Sequence, residues 1–218
     1  MPAKDELRKY HQKLVTYFGP QKKLSSGDRA EALVRTILAQ QAGEAKVEKA
    51  LHNLRVFHLL SIEKLRELDA GTLQEAILPA GHARQKAERI MALVEWLVRR
   101  YEGDFDIARR VPIERLRAEL LELNGIGPET ADTILLAALE LPSFVIDTAA
   151  YRVLSRHLLV PEETNYEEMQ RLFQEHLPAD AALFAEYHEL LGLVGKKFCK
   201  AQAKCDECPL RTFLPQYR

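Results

Sequence analysis

Residues 120–136 read Leu-Leu-Glu-Leu-Asn-Gly-Ile-Gly-Pro-Glu-Thr-Ala-Asp-Thr-Ile-Leu-Leu, which is two amphipathic segments joined by a glycine-rich turn. Gly125 and Gly127 both allow a positive φ and a close approach of a ligand to the backbone, and Pro128 suits the first position of a helix. A helix that starts here exposes free backbone N–H groups, which bind anions such as phosphate. Ile126 is expected to turn inward and fix the turn. The pattern predicts a phosphate-binding helical hairpin, and a plain corner between two helices is the alternative.

Apolar residues recur at helical spacing along most of the chain. Such stripes occupy residues 30–38, 90–98, 134–139, 153–159, 169–173 and 183–194. The apolar trio 144–146 is expected to be a buried connector rather than a strand. Glycine and proline breaks separate roughly nine or ten helices. The sequence therefore predicts an all-α protein.

The composition fits an ordinary globular protein. The 218 residues are 47% hydrophobic and 29% charged, which excludes disorder, collagen and repeat arrays. No uncharged apolar run approaches the ~20 residues needed to cross a bilayer, and the charged N-terminal stretch is unlike a signal peptide. We therefore expect an intracellular protein that makes no membrane contact. A formal charge of -1 means that any polyanion must be held by a local basic face.

Basic side chains form local groups that suit such a face. Each group alone is equally typical of a solvated surface, but together with the hairpin they predict a surface that follows phosphates. The groups are Arg84, Lys86 and Arg89; Arg152 and Arg156; and Lys196, Lys197, Lys200 and Lys204.

The hairpin and three further stretches resemble, in order and spacing, the endonuclease III superfamily of helix-hairpin-helix DNA glycosylases. Residues 144–156 are similar to the segment that follows the hairpin there, with its Val-Asp-Thr core. Residues 37–44, Ile-Leu-Ala-Gln-Gln-Ala-Gly-Glu, resemble the early Gln-Ala turn of the family. Residues 81–87 resemble the start of its Gly-x-x-x-x-Lys-Ala helix. The resemblance runs from about residue 30 to the C-terminus.

The resemblance implies a two-lobed all-α fold with DNA bound between the lobes. One lobe is a middle bundle, residues 25–136, that ends in the hairpin. The other combines residues 1–24 with residues 137–218. Its first helix, from Pro2 to Phe18, is expected to pack onto the C-terminal helices through one apolar side. That side carries Leu7, Tyr10, Leu14 and Phe18.

Asp147 lies where the family keeps its catalytic aspartate. A carboxylate beside the sugar stabilises positive charge as the bond to a base breaks, and it orients or deprotonates the attacking water. Asp147 also follows an apolar trio and precedes Thr148, which is typical of a helix N-cap, and a cap alone would explain it. The two roles are compatible because amides at a helix start favour an ionised Asp.

Glu129 stands where bifunctional members of the family carry a lysine nucleophile. A carboxylate cannot form the Schiff base that leads to strand cleavage, so the resemblance implies a monofunctional hydrolytic glycosylase. The Gly-x-Glu-x-Ala-Asp form is similar to the endonuclease III-like 3-methyladenine glycosylases. Glu129 and Glu44 map near the flipped base, where acidic walls would favour positively charged alkylated purines. Glu129 as an acid in a first helical turn, and Glu44 as a solvated helix residue, are the structural alternatives.

The resemblance also assigns contacts to double-stranded DNA. Gln41 matches the position from which the family fills the gap left by the flipped nucleotide, although an exposed polar residue at a turn explains it equally well. The other expected DNA-binding residues are Gly125, Ile126, Gly127, Thr130, Arg152 and Lys196.

Three cysteines cluster near the C-terminus, which argues against a secreted disulfide framework. Cys199-x5-Cys205-x2-Cys208 resembles the iron–sulfur loop of the superfamily, which holds a [4Fe–4S] cluster with four thiolates spaced x6, x2 and x5. The first gap is one residue short here, and Leu214 stands where the fourth ligand is expected. We expect a degenerate metal-free loop and no required cofactor, with a zinc ion or a cluster with a non-cysteine ligand as alternatives.

The sequence as a whole predicts a base-excision repair glycosylase that removes a flipped, alkylated purine from double-stranded DNA and leaves an abasic site. We expect a cytoplasmic, nucleoid-associated monomer. Two alternatives remain open. One is a bifunctional glycosylase/lyase for oxidised pyrimidines that recruits another lysine, and the other is a non-catalytic hairpin module that only binds DNA.

Overall fold

A computed structural model describes residues 2–21 and 28–217, and this part of the chain is helical without a strand. The all-α prediction is confirmed. Its α-helices are α1 Pro2–Phe18, α2 Arg29–Ala39, α3 Glu44–Val56, α4 Ile62–Glu67, α5 Ala70–Ile77, α6 Ala83–Tyr101, α7 Phe105–Ala108, α8 Ile113–Leu121, α9 Pro128–Thr133, α10 Thr148–Arg156, α11 Tyr166–His176 and α12 Ala181–Lys197. The sequence analysis expected fewer helices than the described residues form, because helices as short as α4 and α7 have too few apolar positions to form a stripe. None of the described helices is long and apolar enough to span a bilayer.

Contacts divide the chain into two compact units, residues 25–141 and residues 1–24 with 142–218. The boundary expected at residue 136 falls inside a helical segment, whereas the division lies before Pro142. The boundary expected between residues 24 and 25 lies outside the described residues.

Residues 25–141 are built around the helical stripes seen in the sequence. The apolar residues of the stripes in α2 and α6 are buried or packed against the core of this unit. Asp28 precedes α2, and its side chain accepts a hydrogen bond from the Glu31 backbone N–H at 3.0 Å and so caps the helix. Helix α9 continues directly into a π-helical segment, Ile134–Ala138, whose five residues are all buried. The sequence predicted the burial of this segment but not its wider winding.

The other unit packs α1 against α11 and α12. Leu7, Tyr10 and Leu14 are buried, and the Tyr187 hydroxyl donates to the Leu7 carbonyl at 2.9 Å, so the predicted packing of the first helix is confirmed. The trio 144–146 is a buried connector, as expected. Phe144 fixes it by stacking on Phe173 of α11, with ring centroids 3.7 Å apart.

Candidate functional site

The hairpin between α8 and α9 has one glycine that its conformation requires. Gly125 has φ 81, and a Cβ at this position would overlap the guanidinium of Arg89. Gly127 has φ -95 and ψ 179, which is extended backbone that any residue adopts, so of the two glycines only Gly125 uses the conformational freedom that both allow. Ile126 points inward and is 6% exposed, as predicted.

A buried ion pair fixes the second helix of the hairpin to the first. Arg117 of α8 donates from Nε to Asp132 Oδ1 at 2.9 Å and from Nη2 to Oδ2 at 3.1 Å, and Asp132 is fully buried. Two parallel hydrogen bonds from one guanidinium set both distance and orientation. The angle between α8 and α9 is therefore defined by side chains as well as by the turn.

The start of α9 is open on the side of Gly127. This residue is the N-cap of α9, and among the described residues no heavy atom beyond its chain neighbours lies within 4 Å of the position that a Cβ would occupy. Glu129 is exposed in the first turn, and its carbonyl accepts a hydrogen bond from the Thr133 hydroxyl at 2.7 Å. The open N–H groups of the first turn form a surface that suits an anion.

The turn after α2 carries Gln41, which is exposed with φ 52. The preceding residue, Gln40, was not singled out from the sequence. Its Nε2 donates to the Gly125 carbonyl at 3.2 Å and to Thr130 Oγ1 at 3.0 Å. Thr130, expected to contact DNA, is thus half-buried and engaged by Gln40. Because these partners of Gln40 lie 85 and 90 residues away in the chain, no local sequence pattern could have revealed the contacts.

Lys86 and Arg89, from the basic group near the start of α6, bond to residues outside this helix. Lys86 is 1% exposed, and its Nζ donates to the carbonyls of Leu38 and Ala80 at 2.8 and 2.9 Å. Burial lowers the pKa of Lys86. Arg89 donates from Nη1 to Gln40 Oε1 at 2.6 Å. The expectation that Lys86 lies on a phosphate-following surface was therefore wrong.

Glu44 is the first residue of α3, and its side chain is 69% exposed. It pairs with Arg35 at 2.9 Å, and Arg35 also contacts Glu48. This surface network neutralises part of the Glu44 charge.

Asp147 belongs to the other unit and caps α10. Its Oδ1 accepts a hydrogen bond from the Ala150 backbone N–H at 2.7 Å, so the N-cap interpretation is confirmed. The residue is half-buried, and within residues 2–21 and 28–217 its Oδ2 has no hydrogen-bond partner. One carboxylate oxygen holds the helix start while the other remains available to a ligand.

Helix α10 packs closely on α12 behind Asp147. A Cβ on Gly195 of α12 would lie 2.5 Å from the Ala149 Cβ, a distance that real Cβ atoms essentially never show. Arg152 is half-buried and donates from Nε to the Thr148 carbonyl at 3.2 Å, and Lys196 is exposed at the end of α12. Arg156, at the end of α10, instead bonds to the segment that carries the three cysteines, residues 199–208, which we call the cysteine loop.

The cysteine loop surrounds a cavity of about 20 Å³, which all three thiols and Leu214 line. Arg156 donates to Cys199 Sγ at 3.3 Å and to the carbonyls of Lys200 and Ala201 at 2.7 and 3.2 Å, so its guanidinium clamps the loop. Burial raises the pKa of the Cys208 thiol, and the sulfurs of the two neighbouring cysteines act in the same direction. Arg156, which was expected on the phosphate-following surface, is partly exposed and has its guanidinium bonded to this loop.

The residues around this cavity do not fit a four-thiolate cluster. Leu214 offers no donor atom at the fourth position. Within the described residues, no group of three His, Cys, Asp or Glu side chains is arranged to hold a metal ion.

A family model and several relatives match this chain. The family model described as "HhH-GPD superfamily base excision DNA repair protein" matches residues 34–179. A Methanocaldococcus jannaschii protein, to which its name attributes a DNA repair glycosylase function, is 38% identical over 206 residues, 94% of each chain. Endonuclease III of Thermotoga maritima is 31% identical over 192 residues, 88% of this chain and 84% of the relative.

Solved structures share the fold. A non-covalent endonuclease III–DNA complex superposes with a TM-score of 0.77 at 24% identity, covering 98% of this chain and 96% of the other. The family match spans the hairpin, Asp147 and the Gln41 turn together. The chain belongs to the HhH-GPD superfamily of base excision DNA repair proteins.

Proposed function

We propose that this protein is a monofunctional DNA glycosylase that hydrolyses the N-glycosidic bond of a flipped, alkylated purine in double-stranded DNA and leaves an abasic site. The observation that carries the proposal is the combination of Asp147, which has one unpartnered carboxylate oxygen, with an acid rather than a lysine at position 129. Family membership supplies the reaction class.

Asp147 acts on the sugar in this mechanism. As the bond between the base and C1′ breaks, its electron pair moves to the base, and the carboxylate stabilises the positive charge on the sugar. Water then forms the new C1′–O bond, and its proton passes to Oδ2. Oδ1 stays with the Ala150 N–H, which holds the carboxylate in one orientation.

Strand scission is not part of the proposed reaction. A lyase needs an amine to attack C1′ and form a Schiff base. Glu129 provides no amine, and Lys86 is buried with its Nζ donating to two carbonyls, so it cannot substitute.

The proposed preference for alkylated purines rests on negative charge beside the flipped base. Alkylation gives a purine a positive charge and makes it a good leaving group, so an acidic wall would favour it over neutral bases. Glu129 and Glu44 would supply this charge, and the ion pair with Arg35 offsets part of the Glu44 charge.

DNA binding would use both units of the chain. The open start of α9, with Gly125, Ile126 and Gly127, would hold a phosphate, and Gln41 would enter the gap left by the flipped nucleotide. Arg152 and Lys196 would bind the backbone. We further propose a monomeric, cytoplasmic and nucleoid-associated enzyme whose cysteine loop is metal-free.

An excision panel tests the proposal. Duplexes that carry 7-methylguanine, 3-methyladenine or an oxidised pyrimidine would be incubated with the protein, and products separated with and without alkali. We expect base release from the alkylated duplexes and strand breaks only after alkali. Breaks without alkali, or a covalent adduct trapped by borohydride, would show a lyase, and release of oxidised pyrimidines alone would disprove the charge argument.

A conservative variant tests Glu129 separately. Glu129→Gln keeps the shape of the side chain and removes its charge. We expect slower release of alkylated purines, by about tenfold, since an interaction of about 1.4 kcal/mol corresponds to that factor. Equal rates for the two proteins would assign Glu129 to the helix start alone.

A further inference from the structure

Gln41 is held in a conformation that its own chemistry does not favour. It is an exposed residue with φ 52, in the left-handed region that side chains with a Cβ rarely adopt. Such a conformation persists only when the surrounding structure defines it. The contacts that define this turn come from its neighbours rather than from Gln41.

Gln40 makes the most specific of these contacts. Its carboxamide has one acceptor oxygen and two N–H donors, and all three are used. Oε1 accepts from Arg89, while Nε2 donates to the Gly125 carbonyl and to Thr130 Oγ1. A guanidinium has no acceptor, so the amide cannot be flipped, and the side chain has a single fitting orientation.

Helix α6 holds the same turn from the other side. Lys86 and Arg89 lie three residues apart and therefore on one face of the helix. Lys86 donates to the Leu38 carbonyl near the end of α2, and Arg89 occupies the space that Gly125 leaves by lacking a Cβ. The turn, the hairpin and α6 are thus joined by one set of hydrogen bonds within residues 25–141.

We infer that Gln40 is a positioning residue that locks the Gln41 turn to the hairpin, so that the side chain entering the DNA gap and the amides holding the phosphate keep a fixed separation. The inference rests on the proposed function of Gln41. A rigid spacing favours DNA that already contains a gap, because no binding energy is used to order the turn. Gln40 thereby sets the preference for gapped over intact duplexes without touching DNA itself.

The test compares affinities for two duplexes that differ at one position. One carries a tetrahydrofuran abasic analogue and the other is intact, and both dissociation constants are measured by fluorescence anisotropy. The preference is the dissociation constant for the intact duplex divided by that for the duplex with the analogue. We expect Gln40→Ala to lower this ratio by about tenfold, as expected when side-chain hydrogen bonds are lost. Gln40→Glu retains the bond from Arg89 but has no N–H donors, and should also lower the ratio.

A double-mutant cycle shows whether Gln40 acts through Gln41. The double variant, Gln40→Ala with Gln41→Ala, should lose no more preference than Gln41→Ala alone. Losses that multiply in the double variant would mean that the two residues act separately and would overturn the inference. A 2-aminopurine placed opposite the analogue should report weaker insertion in both single variants.

The cycle also separates this inference from the proposed function. An unchanged ratio for Gln41→Ala would reject insertion by Gln41 and the inference with it. A reduced ratio for Gln41→Ala together with an unchanged ratio for Gln40→Ala and Gln40→Glu would overturn the inference alone. Gln12→Ala, an exposed glutamine of α1, is the matched control, and thermal melts confirm that each variant is folded.

Discussion

Asp147 Oδ1 and the backbone N–H of Ala150 are joined by a hydrogen bond of 2.7 Å, so one side chain both starts a helix and presents a second oxygen to its surroundings. The two roles can be separated by substitution. Asp147→Asn should keep the cap, since Asn and Asp cap helices about equally well, and stability should change little. Base release should fall by about 100-fold or more because the negative charge is gone.

Asp147→Ala completes this comparison. It removes the cap as well, which costs about 1 kcal/mol, so this variant should melt earlier than Asp147→Asn while being equally inactive. Single-turnover excision and thermal melts measure the two effects. Full activity in Asp147→Asn would reduce the residue to a helix cap.

Gly195 should be required for the position of α10. Gly195→Ala would bring two Cβ atoms to 2.5 Å, so the helices must separate, at a cost of about 1–3 kcal/mol, and base release should slow because Asp147 moves with α10. Gly192→Ala lies on the same helix with nothing within 4 Å of its new Cβ. It should be neutral or stabilising by up to about 1 kcal/mol. Equal melting temperatures for the two variants would refute the close contact.

Glu31 should make part of the stability depend on pH. A hydrogen bond from Arg55 holds the pKa of the Glu31 carboxyl below its usual value, with burial acting in the opposite direction. A lowered pKa in the folded state means that the stabilisation is complete above the ordinary pKa of Glu and disappears as the pH falls through the folded value. Glu31→Gln should therefore flatten the loss of stability between about pH 5 and about pH 3.

Urea unfolding at each pH measures that slope. Arg55→Gln removes the same hydrogen bond from its other end and should flatten the slope similarly. If both variants keep the wild-type slope, the ion pair contributes nothing to acid sensitivity.

The cysteine loop should fold without iron. Protein purified without oxygen should be colourless, contain no stoichiometric iron and melt at the same temperature with or without a chelator, because Leu214 offers no fourth ligand. Arg156→Ala should destabilise the loop by about 1–3 kcal/mol through the loss of its hydrogen bonds. Arg171→Ala, an exposed arginine of α11, is the control. Brown protein with about four iron atoms per chain would overturn the proposal.

The sequence predicted those features that depend on neighbours along the chain. Helical spacing identified the buried stripes, and an Asp before an apolar helix identified the cap at Asp147. The predictions from the sequence failed where the position of a side chain depends on residues that are distant in the chain. Lys86 belongs to a basic group in the sequence, but its Nζ lies between two carbonyls that only folding brings together.

The two glycines of the hairpin differ in a way that the sequence does not show. Gly125 and Gly127 are chemically equivalent in the sequence, but of the two only Gly125 has a positive φ, and a Cβ there would also overlap Arg89, 36 residues earlier in the chain. The sequence therefore named candidate site residues, but it could not show the connections among them, above all those of Gln40, because these join residues that are distant in the chain.

The discontinuous unit has a consequence for synthesis on the ribosome. Helix α1 emerges before residues 25–141, but the helices that bury Leu7, Tyr10 and Leu14 belong to residues 142–218 and emerge after them. Residues 25–141 can close in the interval because their core is contiguous. The nascent chain therefore carries an exposed apolar helix while residues 25–141 are synthesised, a segment that chaperones would recognise until α11 and α12 emerge.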